Sequence, residues 1–281
     1  MEFIDAVLKF SFMQYAVLTG ILAGIACGIV GTYVVMRRIT YIGGGIAHSV
    51  LGGMGAAFYL STVYHWDKIS PIVGAVIMAI IAAVIIGLVS LRSRQREDTA
   101  IGAIWAIGMA IGIIFISRTP GYSENLMSYL FGNILMVSAS EIWLIVGLDT
   151  LIILVGLAFY NQLLAICFDK DFARVRGIRV EFYYLLLLCL TALTVVILVM
   201  VVGIVMVVAL LTLPAAIAGH FTKKLWMTMI LATILSILFT ILGLALSFSP
   251  NLPAGATIIL VAGGAYLLTA LIFTLFRIKS A

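Results

Sequence analysis

The residue whose type and setting most invite chemistry is His48, in the stretch TYIGGGIAHSVLGGMG at positions 40–55. Imidazole is the commonest metal ligand among side chains. In a helix, Gly44, His48, Gly52 and Gly55 fall along one face, so the ring stands out of a strip with almost no bulk around it. Such a strip suits a narrow passage for a cation. It equally suits a core histidine bonded to a backbone carbonyl while the glycines pack against the first apolar helix, and a lone histidine does not decide between the two. A second group is Asp149 in GLDTLIIL, the one acid of eleven that sits deep in an apolar run. A carboxylate there needs a partner or a function, and a hydrogen bond to a neighbouring helix is the simpler role.

The elements that carry these groups are apolar helices. Of 281 residues, 64% are hydrophobic and 10% charged, and mean hydropathy is +1.29, which describes an all-α polytopic membrane protein. Apolar runs at 11–36, 41–64, 71–91, 99–117, 138–160, 182–200, 203–219, 225–248 and 255–276 give eight to nine spans in one transmembrane domain, 1–281, with no room for another domain. Residues 182–219 read as two spans broken near Gly203, because one helix of that length would be about 57 Å long. The start, MEFIDAVLKF, does not read as a signal peptide. The first run carries Gly20, Gly24 and Gly28, a small-residue row that reads as a seam for close helix approach.

The net charge of +5 speaks of topology and not of nucleic acid. Thirteen of sixteen lysines and arginines, including Arg37, Arg38, Lys170, Lys223 and Arg277, fall in alternate gaps and at the C-terminus, leaving Lys9, Lys68 and Arg118 on the other side. The positive-inside rule then sets the N-terminus outside and the C-terminus in the cytoplasm, with lipid around the bundle. Cys27, Cys167 and Cys189 have no C-x-x-C pairing and read as core fillers. The outer loop 117–133, SRTPGYSENLMSYLFGN, reads as a re-entrant or docking segment. The loop 168–181, FDKDFARVRGIRVE, spaces Phe172, Ala173, Val175 and Ile178 as a small amphipathic helix offered to another protein, or else as a basic turn that only fixes topology. There is no phosphate loop, H-E-x-x-H or G-x-S-x-G, so the chain shows no ATP site or hydrolytic centre of its own.

The run VVMRRITYIGGGIAHSVLGG, followed by YLFGN, DFARVRGI and LLTLPAAIAGH, resembles the permease subunit of bacterial zinc, manganese and iron ABC importers, and the likeness runs in order over nearly the whole chain. The resemblance implies the permease fold, a homodimeric pore in the bacterial plasma membrane, a cytoplasmic ATP-binding subunit and an extracytoplasmic metal-binding protein. It implies that the chain is not itself an enzyme and holds no cofactor stably, the metal being cargo. It places His48 on the metal pathway, makes Asp171, Phe172, Ala173 and Gly177 the helix that seats in the ATPase, and gives Pro214 a structural bend. Members commonly carry an aspartate four residues before the histidine, where this chain has Gly44. Likeness in YLFGN and TLPAA points to zinc ahead of manganese or iron. The rival readings are an ion-coupled secondary transporter, which Asp149 alone supports weakly, and an intramembrane enzyme, for which no nucleophile motif exists.

Overall fold

The computed structural model describes residues 2–66, 70–92, 97–120, 132, 134–250 and 252–279. Within them the chain is helical, with no strand. The helices are α1 (Glu2–Lys9), α2 (Ser11–Met36), α3 (Thr40–Tyr64), α4 (Pro71–Arg92), α5 (Glu97–Arg118), α6 (Ala139–Ala158), α7 (Tyr160–Phe168), α8 (Lys170–Val175), α9 (Val180–Val202), α10 (Ile204–Phe221), α11 (Leu225–Phe248) and α12 (Ala254–Lys279), plus a 3₁₀ turn at Ile134–Met136. Among the described residues, nine helices are long and apolar enough to cross a bilayer, and they coincide with the nine apolar runs. Length and hydropathy suffice here because every backbone polar group in hydrocarbon must be satisfied within its own helix.

The structure adds detail at three places. The chain begins with α1, whose Phe3 ring packs edge-on against Phe248 at 6.1 Å. The fifth run does not end in a loop: at Phe159 it bends directly into α7. The 182–219 segment is interrupted by one residue, Gly203, whose φ of +78° is a conformation that glycine adopts without steric cost. The outer loop 117–133 lies almost wholly outside the described residues.

Packing depends on glycine. Along α2, a Cβ at Gly20 would lie 2.6 Å from Thr240 Cγ2 and one at Gly24 2.6 Å from Ile237 Cγ1, while one at Gly28 would meet Thr233. The pairing 20–240, 24–237, 28–233 shows α2 and α11 antiparallel, close enough that no side chain fits between the backbones, as the glycine row predicts. The centre of the bundle is α2 and α9, each 67% buried along its span, whereas α5 and α12, at 17% and 11%, lie on the outside.

Candidate functional site

His48 is positioned by two parallel helices. Gly45 faces Ile101, Gly52 faces Gly108 and Gly55 faces Gly112, so numbers rise together along α3 and α5. A Cβ at Gly52 would stand 2.7 Å from the Gly108 carbonyl oxygen, and one at Gly55 2.8 Å from that of Gly112. This corrects the expectation of an open strip: α5 covers the glycine face at Gly52 and Gly55, and their packing partner is the fourth apolar run, not the first. Ser49 fastens the same contact, its Oγ donating to the carbonyls of Gly45 at 2.8 Å and Ile104 at 3.3 Å.

Toward the start of α3 the seam opens. The His48 ring stacks on Trp105 of α5, with centroids 4.2 Å apart and planes 14° from parallel. Its Nδ1 is buried and, among the described residues, has no hydrogen-bond partner. The alternative role of a core histidine satisfied by a carbonyl is therefore not what this nitrogen does. Histidines that bind metal usually have one ring nitrogen held by an acceptor; here an indole face supplies the orientation instead. One turn away, a Cβ at Gly44 would meet Trp105 Cζ3 at 3.2 Å and Val208 Cγ2 at 3.6 Å. Gly44 and Trp105 share a cavity of about 380 Å³ with Thr40, Tyr41, Thr212 and Tyr266. The cavity thus lies beside α5 and α12, the two least buried spans.

Trp105 is the residue that sequence reasoning missed. A tryptophan in the apolar run IGAIWAIGMAIG carries no signal of its own. The available hint was the Gly108-x-x-x-Gly112 spacing that starts three residues later, which marks that run as a close-packing partner for the glycines of α3.

The other expected residues lie elsewhere. Asp149 is 3% exposed, and neither carboxylate oxygen has a hydrogen-bond partner, so the bond to a neighbouring helix expected of it is absent among the described residues. Pro214 is buried inside α10. Lacking an N–H, it leaves the Leu210 carbonyl without its i+4 donor, while Thr212 Oγ1 donates to the Val208 carbonyl at 2.6 Å. Among the described residues, no three His, Cys, Asp or Glu side chains converge as a metal cage. Cys167, in the short α7, is a buried filler: burial pushes its thiol up to about 12, against the lowering effect of Arg37.

The 168–181 loop contains the short helix anticipated there. Asp169 caps α8 by accepting from the N–H groups of Asp171 at 2.9 Å and Phe172 at 3.0 Å. Gly177, with φ +77°, ends it in a Schellman turn: Gly177 N–H donates to Arg174 O and Ile178 N–H to Ala173 O, both at 3.0 Å. Ala173 is fully buried beneath the helix, while Phe172 is 53% and Val175 89% exposed. Arg174 is held by Glu181 at 2.8 Å and Asp171 at 3.8 Å. The result is a rigid, capped knob with two apolar residues pointing away from the bundle.

The comparisons with known proteins agree with this architecture. The model of the ABC 3 transport family matches residues 9–273. A probable metal transport system membrane protein of Chlamydia trachomatis is 41% identical over 89% of this chain and 85% of its own length. The manganese transport system membrane protein MntC of Halalkalibacterium halodurans is 35% identical, over 92% and 87%. Among solved structures, PsaBC from Streptococcus pneumoniae in complex with Fab superposes with a TM-score of 0.83 at 35% identity, covering 95% of this chain and 94% of that one. The family match over nearly the whole chain and the permease relatives together show that the chain belongs to the ABC 3 transport family as a membrane-spanning permease, not an enzyme, with ATP hydrolysis carried by a separate subunit.

Proposed function

We propose that this permease passes a divalent transition-metal ion from an extracytoplasmic binding protein to the cytoplasm, and that His48 is the side chain the ion meets on the way. The observation that carries the reading is the unpartnered Nδ1 of His48, whose ring stacks on Trp105, itself a wall of the cavity that Gly44 also lines. A ligand nitrogen left free at depth in a bilayer is costly unless it is used. One imidazole without a carboxylate binds weakly, and a conduit needs that, since a deep well would trap the ion. The cavity's place beside α5 and α12 suits a pathway completed by a second copy of the chain, so that two His48 rings line it. In this reading the chain lies in a bacterial plasma membrane, and the positive-inside rule applied to the basic residues of the alternate gaps supports an N-terminus outside and a C-terminus inside. Phe172 and Val175 then face the cytoplasm, where the short helix that carries Asp171 and Phe172, anchored from beneath by Ala173 and ended by Gly177, seats in the ATPase. No cofactor is resident; the metal is cargo.

Manganese is the cargo favoured by the relatives, since the protein of Halalkalibacterium halodurans is named for it. Zinc is the second reading, favoured by the donor set: imidazole without carboxylate suits zinc better than manganese, which prefers oxygen ligands. The test is uptake of each metal in vesicles holding the full complex. His48→Ala lowers uptake about 10–100-fold, the scale of disturbing a metal's immediate surroundings, while the ATPase still co-purifies. Unchanged uptake removes His48 from the pathway, and competition between the two metals in the wild type assigns the cargo.

A further inference from the structure

The turn that launches α3 is held by a buried aromatic joint. Tyr184, near the start of α9, is 1% exposed. Its hydroxyl shares a hydrogen bond with Ser90 Oγ at 3.1 Å, in the last turn of α4. Two cations converge on its ring: the Arg37 guanidinium carbon lies 5.8 Å from the centroid and Lys170 Nζ 5.4 Å. Among the described residues neither cation is in an ion pair, and Arg37 Nε is buried without an acceptor. The ring is therefore an attractive feature common to both charges.

What the two cations belong to gives the joint its meaning. Lys170 is the first residue of α8, the knob offered to the ATPase. Arg37 is the C-cap of α2, three residues before α3 begins its course to Gly44 and His48. The residue between Arg37 and Ile39, Arg38, is held at φ +61°, in the left-handed conformation that helices usually give to glycine at that position. Arg38 N–H donates to Val35 O and Ile39 N–H to Val34 O, both at 3.0 Å. A side-chain-bearing residue persists there only where its surroundings over-determine the turn, and the Arg37–Tyr184 contact is one such constraint.

We propose that Tyr184 is a positioning residue that couples the docking helix to α3: a displacement of α8 moves Lys170, the shared ring carries the shift to Arg37, and the turn at 37–39 re-aims the helix that bears His48. The inference rests on the proposed function, in that α8 is taken as the surface on which the ATPase pushes. Coupling of this kind is a difference in free energy between two arrangements of one packed element. Removing the ring uncouples the two ends and leaves each end built.

The experiment uses the complete complex, permease with ATPase and binding protein, reconstituted in liposomes and supplied with manganese. ATP hydrolysis and uptake are measured together, and the readout is ions moved per ATP. Tyr184→Leu lowers that ratio about tenfold, within the usual range for allosteric coupling, while basal ATP hydrolysis, measured without the binding protein, stays within about twofold of wild type. Tyr184→Phe, which keeps the ring and loses only the hydroxyl, restores the ratio to within about twofold. An unchanged ratio in Tyr184→Leu overturns the proposal, and so does a Phe variant as defective as Leu. If the Leu complex does not assemble, Arg37→Met decides: it leaves ring and docking helix in place and still lowers the ratio, whereas wild-type coupling in that variant overturns the proposal. A wild-type complex that hydrolyses ATP but moves no metal sinks the cargo assignment instead. The joint is then read from ATP hydrolysis stimulated by the binding protein, which Tyr184→Leu abolishes and Tyr184→Phe retains.

Discussion

The two glycine seams of this bundle look alike in sequence and differ in what they leave open. Along α2, Gly20, Gly24 and Gly28 are met in turn by Thr240, Ile237 and Thr233, and the contact with α11 is closed throughout. Along α3, Gly52 and Gly55 are closed by the backbone of α5, but at Gly44 the partner is the edge of an indole, and a cavity follows. A row of small residues thus licenses close approach. Whether it is only a seam or also the wall of a site depends on what the facing helix presents, and the row itself does not encode that.

Three substitutions test the distinction, from the largest effect to the smallest. Gly28→Leu drives a side chain into Thr233, whose own Cα stands 2.6 Å from the position of a Cβ at residue 28. Two backbones would have to part, costing more than about 3 kcal/mol, the upper part of the overpacking range. Size-exclusion chromatography of the detergent extract is expected to show no folded protein; normal recovery breaks the claim that this seam is closed. Gly52→Val meets the Gly108 carbonyl oxygen at 2.7 Å, costs about 1–3 kcal/mol and lowers the melting temperature by about 2–4 °C per kcal/mol. Gly44→Asp is expected to fold, because the first contact is a ring edge at 3.2 Å that can yield. Its melting temperature stays within about 2–4 °C of wild type, and equilibrium dialysis shows tighter manganese retention as a carboxylate joins the imidazole. A Gly44→Asp protein as damaged as Gly28→Leu erases the difference between the two seams.

Much of the fold was legible because it follows from local rules. Each span shows itself as an apolar run, and the break at Gly203 and the short helix over 170–175 could be read from chain length and from apolar spacing. The site was half legible. His48 stood out because a polar ring in a glycine strip is rare, but its partner Trp105 did not, because an aromatic in an apolar run is ordinary. Their meeting depends on α3 and α5 lying parallel with α4 between them in sequence, and no single segment records that. Asp149 was equally visible, yet the hydrogen bond expected of it is absent among the described residues: apolar surroundings announce that a carboxylate is exceptional without saying which neighbour, if any, answers it. Tyr184 was silent for the reason Trp105 was, since it is the convergence of four elements that makes it a joint.

The antiparallel pairing of α2 with α11 also bears on how the protein is made. Gly28 finds Thr233 only after the intervening stretch of about 200 residues has been synthesised, which at 5–20 residues per second takes about 10–40 s. Until then the first long helix sits in the bilayer with its glycine face against lipid, and that face can engage any other small-residue helix nearby. The helices α3, α4 and α5, neighbours in sequence and in space, can by contrast close around His48 before α11 and α12 are made.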